Sequence, residues 1–328
     1  MKLHLTHVAG LFLSASIAQA QEDPVLTIYT YDSFVTEWGP GPVVEAAFEA
    51  TCDCDLQFVG HGDGAALLAR LQLEGARTDA DIVLGLDTNL TAAASETGLF
   101  APHGLTPALD LPIAWDDATF LPYDWGYFAF VSDVSVPAPA TFEALAQSDL
   151  SIVIQDPRSS TPGLGLVLWV KEAYGDRAPE IWEALADNIV TVTPGWSEAY
   201  GLFLEGEADA VLSYTTSPAY HLIAEGDGSK TAWAFEEGHY MQIEVAGVLQ
   251  SSDVPDLARS FMAFMVSPGF QDEIAMTNWM YPAVTPKGGL PDGFETLAVP
   301  GSALLLSGPE AREIRDEAIT EWRNALSR

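Results

Sequence analysis

VLTIYTYDSFVTEWGPGPVVEAAFEATCDCDLQFVGHGDGAALLARLQLEGARTDADIVLGLD, residues 25–87, decides the fold. Three short runs, Val25–Tyr31, Asp55–Val59 and Asp81–Leu86, are rich in apolar and β-branched residues and read as strands. Between the first two, Val43, Val44, Ala47 and Phe48 recur at helical spacing, predicting a helix from Gly41 to Cys52. Between the second and third, Leu67, Leu68, Leu71 and Leu73 form an apolar stripe from Gly64 to Glu74, with Asp63 at the N-cap position. Parallel strands need a crossover, and an amphipathic helix supplies it. The β-α-β-α-β alternation therefore predicts a mostly parallel α/β lobe.

The pattern continues outward. Gly126–Ser132 reads as a strand after a Pro-rich passage, and Ser151–Asp156 opens a second α/β series. Ser160-Thr161-Pro162 starts a helix that runs to about Tyr174. Asn188–Thr193, Ala210–Tyr214 and Tyr240–Leu249 are further strands; 256–265, 269–275 and 309–326 are helices. Strands 126–132 and 240–249 are the crossovers between two lobes, 21–125 with 247–328 and 126–246. The expected fold class is α/β, two-lobed and hinged, with a ligand cleft at strand C-termini and helix N-termini.

Composition limits what that cleft receives. Thirteen basic against 47 acidic residues give a net charge of −34. Nucleic acid is excluded as a partner, since neutralising phosphates needs a basic face. The acid excess reads as a solvated surface, and it also steers cationic ligands. The chain opens with Met1-Lys2, an apolar stretch from Val8 to Ile17 and then Ala18-Gln19-Ala20. This is the pattern of a secretory signal cleaved after Ala20, and the apolar run is too short for a permanent span. Gln21 rather than Cys at the next position argues against a lipid anchor, so the expected location is the periplasm.

Cys52 and Cys54 are the two cysteines. Export permits a disulfide, but a bridge across one residue is small, and the residues alone leave the pairing open. No metal-ligand spacing surrounds them, and neither a metal nor a cofactor is expected.

Tyr and Trp recur beside Gly, Pro, Ser, Thr and Asp in segments far apart: Tyr29 and Tyr31, Trp38, Trp196, Tyr214, and Trp279 with Tyr281. Aromatics in such settings face ligands more often than those set among Leu, Ile and Val. With acids nearby they suit a flat organic cation. Core packing is the competing reading for each. Ser160 and Thr161 start a helix whose free N–H groups suit a phosphate, and an ordinary N-cap is the competing reading there. Arg158 either adds charge at that site or pairs with Asp156. Asp63 is a ligand acceptor, a helix cap, or both.

Segments 29–34 (YTYDSF), 38–42 (WGPGP), 81–87 (DIVLGLD), 155–165 (QDPRSSTPGLG), 195–203 (GWSEAYGLF), 213–220 (SYTTSPAY), 237–240 (EGHY) and 278–282 (NWMYP) together resemble the periplasmic thiamine-binding proteins. Those are soluble receptors of ABC importers for thiamine and its phosphate esters. The resemblance spans the mature chain. It implies a group II periplasmic binding fold, a monomer without catalytic residues, and a permease and ATPase as partners. It also implies ligand contacts at Asp63, Gly64, Ser160, Thr161, Trp196, Tyr214, Thr215, Thr216 and Ser217. Tyr31, Trp38, Tyr220 and Trp279 match aromatics that line or close the cleft. Gly62 stands where an acid can precede Asp63.

Two other activities occur on similar folds. Ferric iron receptors use two adjacent tyrosines, whereas Tyr214 is followed here by Thr215. Thiamine-degrading transferases use a cleft cysteine, whereas Cys52 and Cys54 lie far in sequence from the cleft segments.

Overall fold

The computed structural model describes residues 23–327. The opening passage gives β1 (Val25–Thr30), α1 (Gly41–Glu49), β2 (Asp55–Gly60), α2 (Gly64–Glu74), β3 (Ile82–Asp87) and α3 (Thr91–Glu96). β1 lies between β2 and β3 and runs parallel to both. A short β4 (Phe100–Ala101) precedes β5 (Phe120–Asp133). Next come α4 (Phe142–Ala146), β6 (Ile152–Gln155), α5 (Thr161–Tyr174), α6 (Ala178–Leu185) and β7 (Ile189–Thr193). The second series closes with α7 (Trp196–Leu204), β8 (Ala210–Tyr214), β9 (Lys230–Ala232) and β10 (His239–Leu249). The tail is α8 (Pro255–Met265), α9 (Pro268–Thr277), β11 (Tyr281–Pro282), β12 (Ala303–Leu304) and α10 (Gly308–Leu326).

The main strand order is β2-β1-β3-β10-β5-β8-β6-β7. β10 is antiparallel to both neighbours, β3 and β5. β5 is shared: Phe120–Tyr127 pairs with β10, and Phe128–Ser132 pairs with β8. Both α/β series thus hang on two long antiparallel strands. The sequence predicts this strand from Gly126, and the structure begins it at Phe120. Pro122 reads as a breaker, yet it sits opposite Val245, beside a register shift between Glu244 and Val245. The ladder is irregular there, so a missing N–H is tolerated. At the same level the register sets Asp87 of β3, Glu244 of β10 and Asp124 of β5 side by side.

One apolar cluster, with Leu26, Ile28, Val44, Phe48, Leu56 and Phe261, packs α1 and α8 onto β1 and β2. Another surrounds α5, whose residues Thr161–Val170 are all buried, as expected of a helix apolar on every side. The sequence groups the C-terminal helix with the first lobe, but α10 packs on α5 and α6 and also touches α3. Lys171 of α5 binds Glu317 at 2.9 Å and Glu321 at 2.7 Å on α10. Cys52 and Cys54 form a disulfide after α1, against the first cluster. Residues 1–20, read as a leader, lie outside the described residues. Among the described residues no helix is long and apolar enough to cross a membrane.

Candidate ligand-binding cleft

A cavity of about 290 Å³ opens where the strand ends and helix starts of the two series meet. Aromatic side chains make its walls. Trp196, the first residue of α7, stacks on Tyr200 with centroids 5.0 Å apart and faces Trp38 at 6.3 Å. The indole Nε1 of Trp196 donates to Ser213 Oγ at 2.8 Å, which fixes the ring plane. Tyr214 ends β8 and lies against Phe128, and Trp279 meets Tyr220 edge-on at 5.6 Å. Trp279 holds φ at 56°, left-handed backbone unusual for a bulky residue. Trp38 is 53% exposed, so it forms the lip rather than the floor.

The polar end is built from three helix starts. Asp63 precedes α2 but caps nothing on its own helix. Its Oδ2 instead accepts from Ser160 Oγ at 2.7 Å and from the backbone N–H of Trp196 at 3.1 Å. Thr161 Oγ1 in turn accepts from the N–H of Gly64 at 3.1 Å. Side chains of one series thus satisfy helix-end groups of the other. Burial pushes the Asp63 carboxyl up to about 6, against the opposing pull of those two hydrogen bonds.

The floor is acidic. Glu244 reaches the cavity with its Oε2 3.1 Å from the Tyr31 hydroxyl and bonded to the Tyr123 hydroxyl, while Oε1 accepts from Gln242 at 3.0 Å. Asn278 Nδ2 donates to Asp124 Oδ2 at 2.6 Å, and the Tyr31 hydroxyl is 3.1 Å from Asn278 Oδ1. Burial pushes Glu244 up to about 7 and Asp124 well above the usual carboxylate range. The residues lining the cavity include no Lys, Arg or His.

Of the residues singled out in the sequence, Tyr31, Trp38, Asp63, Thr161, Trp196, Tyr214, Ser217, Tyr220 and Trp279 line this cavity. Gly64, Ser160, Thr215 and Thr216 do not. Ser160 is wholly buried and spends its hydroxyl on Asp63, so it is neither a free phosphate donor nor a cap of α5. Thr215 and Thr216 point into packed interior, with Thr216 Oγ1 3.6 Å from Met280 Sδ. Arg158 pairs with Asp156, its Nε donating at 2.8 Å, and lies outside the lining. Trp196 begins α7 and Tyr214 ends β8, so both are held by regular elements. The sequence reading overlooks Tyr200, Glu244, Asn278 and Met280, which also line the cavity. Cys52 and Cys54 do not line it.

A family profile described as bacterial extracellular solute-binding protein matches residues 36–272. The chain belongs to that family. This solute-binding protein is 53% identical over 310 residues to the thiamine-binding periplasmic protein of Escherichia coli (strain K12), covering 93% of this chain and 94% of that one. It is 40% identical over 335 residues to the thiamine-binding periplasmic protein of Haemophilus influenzae (strain ATCC 51907 / DSM 11121 / KW20 / Rd), covering 100% of this chain and 99% of that one. A solved periplasmic thiamin binding protein superposes with a TM-score of 0.90 at 51% identity, over 97% of this chain and 100% of that chain. A ferric binding protein from Campylobacter jejuni shares the fold alone, with a TM-score of 0.72 at 17% identity over 92% of this chain and 99% of that one.

Proposed function

We propose that this chain is a periplasmic receptor that captures thiamine, thiamine monophosphate or thiamine pyrophosphate and hands it to the permease and ATPase of an ABC importer. The observation that carries the reading is the wall chemistry: stacked Trp and Tyr around two acids, with no basic side chain in the lining. A desolvated cation over an aromatic face gains about 2 kcal/mol, which suits a thiazolium beside Trp196 or Tyr214. The named relatives at 40–53% identity point the same way.

In this reading the leader is removed after Ala20 and the mature chain works as a monomer. Its lobes close on the ligand about β5 and β10, dividing near Tyr127 and Gln242, where β5 passes from one partner strand to the other. The phosphate arm is received at the starts of α5 and α7, and the rings lie between Trp196, Tyr214 and Trp279. Capture and release involve no covalent chemistry.

The test is a tryptophan-fluorescence titration of refolded, ligand-free mature protein with thiamine and each phosphate ester. Saturable quenching at submicromolar concentration, weakened at least tenfold by W196A and by Y214A, is expected. A flat response to all three, repeated by calorimetry, overturns the reading.

A further inference from the structure

Glu244 and Asp124 are cross-strand partners on β10 and β5, with 6% and 0% of their surfaces exposed. Burying two neighbouring carboxylates is tolerated only if a cation or a proton offsets the charge. Among the described residues no Lys, Arg or His comes within salt-bridge distance of either. Arg315 is a nearby base, and it acts on Asp87 of this row. The other titratable groups facing the pair are acids and phenols: Tyr31 after β1, Asp63 before α2, Asp87 on β3, Tyr123 on β5 and Tyr214 on β8. None of them brings positive charge.

The hydrogen bonds show where the pair is incomplete. Glu244 has neutral donors in Tyr123 and Gln242 and shares the single proton of the Tyr31 hydroxyl with Asn278 Oδ1, and it forms part of the cavity floor. Asp124 lies behind it with Asn278 as a donor to Oδ2, while its Oδ1 is buried with no partner. The polypeptide therefore supplies donors but no charge, and the open side of Glu244 is the cavity.

We propose that Glu244, backed by Asp124, is the cation seat of the cleft, and that the pair gives up a proton when a positively charged ligand enters. The proton passes to solvent and the ligand's permanent charge takes its place, so net charge in the buried site is conserved. The inference rests on the thiamine reading, because it requires a cationic occupant. It makes Glu244 a specificity determinant: a ligand of the same shape without the charge leaves the proton in place. Asp124 acts through Glu244 and is a positioning residue. The raised proton affinity of both carboxyls agrees with this assignment.

Calorimetry of refolded mature protein with thiamine, in buffers of different ionisation enthalpy, counts the protons released. At pH 6 close to one proton per thiamine is expected from D63N and about half of that from the wild type, because Asp63 takes up a proton as the cleft closes; the release falls as the pH rises past 8. E244Q should abolish most of that release and weaken thiamine at least tenfold. It should bind the neutral analogue carrying thiophene in place of thiazolium as well as the wild type does. D124N should shift the pH at which release occurs. D63N should leave the release at Glu244 in place, which separates the two acids. Thiamine binding by wild type without proton release, or unchanged release in E244Q, overturns the inference and leaves the receptor reading standing. Absence of thiamine binding by wild type overturns the receptor reading itself. If E244Q does not fold, the wild-type proton count and the thiophene analogue still decide.

Discussion

Ser160 Oγ donates to Asp63 Oδ2 across 2.7 Å, and these two residues come from helix starts 97 positions apart. The contact closes the polar end of the cleft, and Trp196 N–H joins it on the same oxygen. The Asp63 carboxyl is raised, chiefly by burial, from 3.8 to about 6. Opening the cleft should return it to water and to its ordinary value. The closed form therefore holds the proton more tightly. Its extra stability is present in full below pH 3.8 and is lost as the pH rises through about 6. That difference corresponds to about 3 kcal/mol. Ligand-free protein should thus become more compact between pH 7 and pH 4.5, and D63N should flatten that part of the response. X-ray scattering across the pH range measures it. A wild-type radius of gyration that is constant or rises on acidification would contradict the prediction.

Gly64 permits that approach. A Cβ there would lie 2.6 Å from Thr161 Oγ1 and 2.8 Å from the carbonyl oxygen of Gly85. The first clash is with the opposite series and the second is within its own. Gly64→Ala should therefore hold the cleft ajar and weaken ligand binding tenfold or more, equivalent to about 1.4 kcal/mol. The Gly85 clash persists in the open cleft, so the unliganded protein should also lose about 1–3 kcal/mol, and the closure role shows as a further loss of ligand-induced stabilisation. Paired melting curves with and without thiamine separate the two effects, and equal ligand-induced shifts in wild type and variant would count against the closure role.

The β-α-β-α-β opening is legible because periods of two and of three to four residues alternate cleanly from Val25 to Asp87. Trp196, Tyr214 and Trp279 are legible as cleft residues because they stand among Gly, Pro, Ser, Thr and Asn rather than in apolar runs. Glu244 is not. Gln242 and Glu244 alternate with Met241, Ile243 and Val245, the pattern of a strand with one wet face. Yet all of β10 is buried, because its second face is covered by packed structure and, at Glu244, by the walls of the cavity. Burial of the second face is a tertiary fact with no local mark. Ser160 fails for a similar reason. Its neighbours spell a helix start, but the carboxylate that takes its hydroxyl comes from Asp63, far along the chain.

At the far end of the chain, Ser307 and Glu310 form a capping box on α10. The Ser307 hydroxyl accepts from Glu310 N–H at 3.4 Å, and Ser307 N–H donates to Glu310 Oε2 at 2.8 Å. Ser307→Ala removes one half of it, which should cost about 1 kcal/mol. Since α10 packs on α5 and α6, the loss should register in global unfolding as a fall in Tm of about 2 °C. Ligand affinity should not change. Differential scanning calorimetry checks the first statement and the fluorescence titration the second.

Tyr31 reaches Glu244 only because residue 85 has no side chain. Gly85 holds φ at 104°, and a Cβ added there would lie 2.2 Å from Tyr31 Cδ1. Gly85→Ala therefore carries two penalties, a backbone conformation that alanine avoids and a ring driven off its hydrogen bonds, together about 3 kcal/mol. Tyr31→Ala alone should also destabilise, by about 3 kcal/mol, through a lost aromatic contact with Phe34 and a weaker donor set on Glu244. The clash term vanishes once the ring is gone. The double variant should therefore be less destabilised than the sum of the singles, with a coupling of about 1 kcal/mol or more. Urea denaturation of the wild type, the two singles and the double variant measures that coupling. Strict additivity would show that the alanine is harmful through its backbone alone and that the Tyr31 ring can move without loss.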